Sequence, residues 1–304
     1  MATIDILGVP HAYSLTPPTA SPQVLVFLHG WLLSHNYWQP LIDRLAPDYQ
    51  CLAYDLRGFG GSQPNNGVQL SLEEAHSSNV FPNVTSQAAT LVQYTPAAYA
   101  RDLGILLEKL NISSAWLVGH SLGGTIALWG AYQLPERVQG VICLNAGGGI
   151  YLKEAFERFR TAGQQMLKRR PQWLCYLPLL DFLLSYANVA RPIARSWGRQ
   201  RLLDFITAHP EAALGTLLDS TTEAEVNRLP QVLSELKQPV YFIAGAKDKI
   251  MEPKYVRHLA SFHSLFKDCG DNVMEIPNCG HLAMLEQTEI VAEQICEILS
   301  IHKP

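Results

Sequence analysis

Several absences narrow the field before any motif is read. No stretch of the 304 residues approaches the roughly 18 consecutive apolar residues that a bilayer-spanning helix needs. The six cysteines (Cys51, Cys143, Cys175, Cys269, Cys279 and Cys296) show no C-x-x-C spacing, which argues against a zinc site or a disulfide framework and for a reducing compartment. Basic charge is in deficit, 23 Lys and Arg against 27 acids for a net of -4, so global electrostatics gives no case for a nucleic-acid partner. Met1 to Tyr13 has neither the basic nor the apolar region of a signal peptide, and the expected location is cytoplasmic. Metal-ligand spacings and glycine fingerprints for dinucleotides are missing as well, so neither a metal nor an organic cofactor is expected.

What is present is apolar residues in patterned runs. Hydrophobic residues make up 48% of the chain, enough for a sizeable buried core. Short apolar runs bounded by turn residues read as buried parallel strands: Val24 to His29, Cys51 to Asp55, Ala115 to Gly119, Val138 to Asn145, Val240 to Gly245 and Asn272 to Ile276. Between them, Trp38 to Leu45, Ala97 to Leu110, Gly123 to Leu134, Pro253 to His263 and Glu289 to Leu299 carry apolar residues at helical spacing. This alternation predicts an α/β fold with a mostly parallel, doubly wound sheet.

Two segments break the alternation. Gln63 to Tyr94, polar and rich in Asn, Ser and Gln, reads as a long surface loop. Gly147 to Pro230 is helical throughout, with no strand signal. The reading is therefore a core domain of residues 1–146 and 231–304 and an inserted helical cap of residues 147–230. A cap so placed would lie over the carboxyl ends of the strands, where open α/β sheets keep their ligand crevice.

Chemistry concentrates at Gly119-His120-Ser121-Leu122-Gly123, a G-x-S-x-G motif that follows one apolar run and opens a helix. A serine in such a sharp turn needs small residues two before and two after it, and Gly119 and Gly123 supply them. The hydroxyl needs a base, and the base needs an acid to orient it. In this strand-turn-helix context the partners follow in the order acid then histidine, each after a later strand. Asp248 follows Val240 to Gly245, and His281 follows Asn272 to Ile276. Of the ten histidines, His120 and His29 read as structural, while His35, His76, His209, His258 and His263 fall in loops or on helix faces. Asp181, Asp204 and Asp219 belong to the cap and are poor candidates for the acid. The amides of Leu122 and Trp31 are the expected oxyanion-hole donors, with Leu32 as the alternative to Trp31.

His29-Gly30-Trp31, Asp55-Leu56-Arg57-Gly58-Phe59-Gly60-Gly61-Ser62, Gly119 to Gly124, Gly245 to Asp248 and Gly280-His281 together resemble the α/β-hydrolase superfamily, in its serine-nucleophile branch with a helical cap. The resemblance implies an α/β-hydrolase fold, a triad of Ser121, His281 and Asp248, and a purely structural turn from Asp55 to Ser62. Serine at the nucleophile position sets aside the branches that use aspartate there, the dehalogenases and epoxide hydrolases. His29-Gly30-Trp31 with Trp38 is also similar to a loop in menaquinone-pathway synthases, although Thr125 stands where that family carries an arginine.

The expected function is hydrolysis of a lipophilic carboxylic ester or thioester through an acyl-enzyme. The alternatives are a triad-dependent lyase or carbon-carbon hydrolase, and a non-catalytic binding member of the fold. Trp31, Phe156, Phe159, Trp173 and Leu180 are the candidates for a pocket lining. From Lys153 to Arg201, ten basic residues stand against three acids, a net of +7, while the rest of the chain stands at -11. Lys168, Arg169, Arg170, Arg191 and Arg195 flank the apolar run Trp173 to Tyr186, so peripheral contact between this basic cap and a membrane surface is expected.

Overall fold

The computed structural model describes residues 2–64, 93–147, 153–168, 170–267 and 270–302, with the side chains of 153–156 and 172 excepted. The bulk of the polar insertion, residues 65–92, lies outside the described residues, as do Tyr151, Leu152, Arg169 and Cys269.

Eight strands form one sheet: β1 (Ala2–Ile6), β2 (Val9–Leu15), β3 (Val24–Leu28), β4 (Gln50–Tyr54), β5 (Ala115–His120), β6 (Val138–Leu144), β7 (Val240–Gly245) and β8 (Val273–Ile276). Their order is β1-β2-β4-β3-β5-β6-β7-β8. From β4 through β3 to β8 the pairing is parallel, and β1 and β2 add an antiparallel edge. The six parallel strands are those that the apolar runs predict, within a residue or so at each end. The antiparallel pair was not expected, because these strands mix buried with exposed positions and carry Asp5, Pro10, His11 and Ser14.

Helices cover both faces. On one side lie α1 (Gln39–Leu45), after a short 3-10 turn at His35–Trp38, and the C-terminal helix α11 (Thr288–Ile301). They bury Leu41, Ile42, Leu45, Val291, Ile295 and Ile298 against Leu25 and Phe27 of β3. On the other side, α2 (Pro96–Lys109), α3 (Leu122–Gln133) and α9 (Pro253–Ala260) pack on Val26 and Leu28, the alternate residues of the same strand. Local chemistry fixes where α2 starts. Pro96 occupies the first turn, and the Thr95 side chain accepts the Ala98 amide at 3.1 Å.

Between β6 and β7 come α4 (Lys153–Lys168), a 3-10 turn at Gln172–Tyr176, α5 (Leu180–Leu184), α6 (Arg195–Thr207), α7 (Pro210–Ser220) and α8 (Glu223–Glu235). Pro230, at the expected end of the cap, sits inside α8, which reaches the sheet-covering layer where the Trp129 indole of α3 donates to Glu225. A short α10 (Ala283–Glu286) precedes the C-terminal helix. Strand order reverses its direction of growth at β3, and the carboxyl ends of β3 and β5 are where an open α/β sheet of this order places its ligand crevice. Register aligns Leu28 of β3 with Gly119 of β5. Trp31 and Ser121 therefore leave the sheet side by side.

Candidate active site

Ser121 links β5 to α3 with φ 52° and ψ -120°, a region that costs a non-glycine residue of order 1–3 kcal/mol and persists only where its surroundings impose it. The surroundings do impose it. A Cβ on Gly119 would sit 2.2 Å from the Gly123 carbonyl oxygen, and one on Gly123 would sit 2.1 Å from that of Leu28. Backbone thus fills the space beside both glycines. The Ser121 amide donates to Leu144 O at 3.1 Å, and the Gly124 amide donates to Ser121 O at 3.0 Å, closing the turn. Leu122 is the first residue of α3, so its N–H has no acceptor within the helix and is free to meet an anion.

His281 follows β8. Its Nδ1 lies 2.8 Å from Asp248 Oδ2, and since a carboxylate only accepts, Nδ1 carries the proton and Nε2 keeps its lone pair. Asp248 follows β7 and is almost wholly buried. Besides His281, it accepts the amides of Ile250 (2.8 Å) and Met251 (3.0 Å) and the Asn145 side-chain amide (2.9 Å). Burial pushes its pKa up. The hydrogen bond and charge of His281 and the two backbone amides outweigh that, and the net shift is downward. The carboxylate therefore stays ionised and orients the imidazole.

Two further residues hold the histidine loop, and neither was foreseen from the sequence. Glu286 accepts the amides of Gly280 (3.0 Å) and Leu282 (3.1 Å) on either side of His281, and also those of Ala190 (2.7 Å) and Arg191 (3.2 Å). The His281 amide itself donates to Asn188 O at 2.8 Å. Asn145, in the left-handed region at φ 47°, bridges Asp248 Oδ2 and Gly280 O through one side-chain nitrogen. A polar residue in that conformation at the end of a buried strand was the only sequence signal available.

The neighbouring histidines His120 and His29 are buried and hydrogen-bonded within the fold. His120 Nε2 donates to the carbonyl of His281 at 2.8 Å, the two rings lie 4.8 Å apart, and burial followed by the His281 charge lowers the His120 pKa to about 3. His29 donates through Nδ1 to Gly30 O and accepts the Leu56 amide at Nε2, and burial lowers its pKa to about 4. The Asp55 to Ser62 turn is built around Asp55, which accepts the amides of His35 and Gly61 at 2.6 and 2.7 Å. Trp38 is fully buried against Phe27 and His120, so it belongs to the core.

The expected pocket residues separate into two groups. Trp31, half-buried, donates its indole N–H to Ala213 O in α7 at 2.9 Å and faces Phe159 of α4, with ring centroids 6.5 Å apart. The tight turn that carries Trp31 is closed by Leu33 N donating to Gly30 O, with Leu32 in the left-handed region. Phe156 lies on α4, but its side chain is outside the described residues. Trp173 is 57% exposed and, with Lys168, Arg170 and Leu174, lines a shallow surface concavity. Leu180 is half-buried at the start of α5. The cap acids have structural partners: Asp181 pairs with Arg195, Asp219 accepts the Tyr94 amide, and Asp204 accepts from Ser34 and Gln200.

Comparison with known proteins bears on the family and the fold. The model of a family described as alpha/beta hydrolase fold matches residues 23–288. A pimeloyl-(acyl-carrier protein) methyl ester esterase of Xanthomonas campestris is 30% identical over 276 residues, covering 89% of this chain and 92% of that protein. A 2-succinyl-6-hydroxy-2,4-cyclohexadiene-1-carboxylate synthase of Serratia proteamaculans is 26% identical over 283 residues, covering 90% and 92%. Among solved structures, a thermophilic esterase of Thermogutta terrifontis superposes with a TM-score of 0.72 at 21% identity over the full length of both chains.

Proposed function

Since this chain belongs to the alpha/beta hydrolase family, we propose that it is a serine hydrolase of carboxylic esters or thioesters. The observation that carries the proposal is the strained Ser121 elbow, whose preceding residue His120 is bonded to the His281 carbonyl at 2.8 Å, together with His281 itself bonded at 2.8 Å to a buried, ionised aspartate. In this reading Ser121 Oγ attacks the acyl carbon while His281 Nε2 takes its proton. The amides of Leu122 and Trp31 receive the developing oxyanion, and the alkoxide or thiolate leaves with the proton from His281. Water, deprotonated by the same imidazole, then releases the acid.

Trp31, in the loop after β3, and Phe159 of α4 bring their rings within 6.5 Å of each other, an apolar pair that supports a lipophilic acyl or alcohol group. A methylene buried there contributes about 0.8 kcal/mol. Across nitrophenyl esters of increasing chain length, kcat/KM should rise, with a burst of chromophore equal to the enzyme present. A steady fall from the acetyl ester onward would remove the lipophilic reading.

The likeness to a cyclohexadiene-carboxylate synthase supports a second reading, in which the same triad acts as a base in a lyase. Thr125 in place of that family's arginine weighs against it. A burst with nitrophenyl esters rejects it, and turnover without any acyl-enzyme would favour it.

A further inference from the structure

The segment from Trp173 to Tyr186 exposes large apolar side chains on a firmly anchored base. Trp173, Tyr176, Leu179, Phe182, Leu183 and Tyr186 are all on the surface, Tyr176 at 83% and Leu183 at 63% exposure. Isolated surface leucines need no explanation, but these six and Leu177, seven exposed large apolar residues within fourteen positions, make a patch of the kind that marks an interaction site. Beneath them the backbone is locked down. Arg201 donates to the carbonyls of Leu184 and Ala187 at 2.6 Å each, and the Ile193 amide donates to Ser185 O at 3.1 Å. Gly198 lets α6 approach so closely that a Cβ there would lie 1.8 Å from Asp181 O. The outward aim of the apolar side chains is thus fixed by the fold.

Charge identifies the occupant. Lys168, Arg191 and Arg199 are exposed around the patch. The acid in this segment, Asp181, is already held by two hydrogen bonds from Arg195. The segment from Lys153 to Arg201 carries +7 on a chain that is otherwise at -11. No helix among the described residues is long and apolar enough to cross a membrane, and the contact that suits this face is a peripheral one. Aromatic and leucine side chains that enter the headgroup boundary, ringed by cations that stay at the phosphates, are the physical requirements for such contact.

We infer that the Trp173–Tyr186 face, with Lys168, Arg191 and Arg199 around it, docks the protein on an anionic lipid surface. The inference does not depend on the chemistry assigned to Ser121. It is tested by flotation of the full-length protein, as wild type and as Ser121→Ala, with vesicles of phosphatidylcholine alone and of phosphatidylcholine mixed with phosphatidylglycerol. Both forms should float with the mixed vesicles and stay in solution with the neutral ones, and rising salt should release them as screening shortens to a few ångströms. Each of Lys168→Glu and Arg199→Glu should weaken partitioning by about fivefold or more, the effect of about 1 kcal/mol per basic side chain. Leu179→Ser with Leu183→Ser should abolish it while leaving ester turnover in vesicle-free buffer unchanged. Equal partitioning to both vesicle types, or no change in the serine double variant, would overturn the inference. So would binding of an acidic carrier protein with no vesicle binding, which would assign the face to a protein partner.

Discussion

The carboxyl ends of β5, β7 and β8 and the helical segment between β6 and β7 obey opposite rules. At the sheet ends, the amides of Ser121, Gly124 and His281 each have a backbone acceptor, and Gly119 and Gly123 stand where a single methyl group would collide with backbone. In the helical segment, α4 to α7 turn apolar side chains toward solvent as well as inward. The difference teaches where chemistry and selectivity reside. A triad needs sub-ångström positioning, which close packing provides. A binding face needs area and charge, which many sequences can supply.

The sharpest break in that comparison would come from the sheet ends. Ser121→Ala should lower kcat on the order of 10³-fold or more with an unchanged melting temperature. Asp248→Asn should do comparable damage, because an amide facing Nδ1 holds the imidazole in the wrong tautomer. Steady-state kinetics alongside thermal melts checks both, and full activity in either variant would remove the residue from the mechanism.

Glu286→Gln comes next. It turns one of the two acceptor oxygens that together hold four amides around His281 and the 190–191 segment into a donor, so about a tenfold loss of kcat is expected, together with about 1–3 kcal/mol of stability. A loss of stability with kcat intact would confine Glu286 to the fold and deny it any part in positioning His281.

Asp204 joins the two regions, since α6 offers its carboxylate to Ser34 in the loop after Trp31. Burial, against the hydrogen bonds of Gln200 and Ser34, raises its pKa from 3.8 to about 7. The folded state therefore holds a proton that the unfolded chain has already lost between those values. This contribution to stability is complete below about pH 4 and is lost as the pH rises through about 7. Melting temperatures of wild type and Asp204→Asn should diverge over that window, the wild type falling relative to the variant as pH rises. Parallel curves would show that the carboxyl titrates normally. The smallest effect belongs to the exposed patch: Leu179→Ser with Leu183→Ser should change stability in buffer by no more than about 0.5 kcal/mol per site.

Legibility in the sequence follows the same division. Buried parallel strands announce themselves as apolar runs, so β3 to β8 could be read directly, whereas β1 and β2, at a sheet edge with mixed burial, could not. Ser121, Asp248 and His281 could be proposed together from the sequence because motif, order and strand context agree, and the structure brings His281 and Asp248 within 2.8 Å. Glu286 and Asn145 were not, because each acts through hydrogen bonds to residues distant in sequence. The helical character of the segment after β6 was plain from its periodicity. Which of its apolar residues face Trp31 and which face solvent depends on how α5 and α6 pack, and a helix pattern alone does not carry that information.

Covalent capture of the nucleophile tests the central claim most directly. A fluorophosphonate incubated with the wild type should give one adduct per chain, mapped by peptide mass spectrometry to Ser121, lost in Ser121→Ala and strongly slowed in His281→Ala. Labelling of Ser121→Ala as strong as that of the wild type, or an adduct mapped to a different residue, would contradict the account.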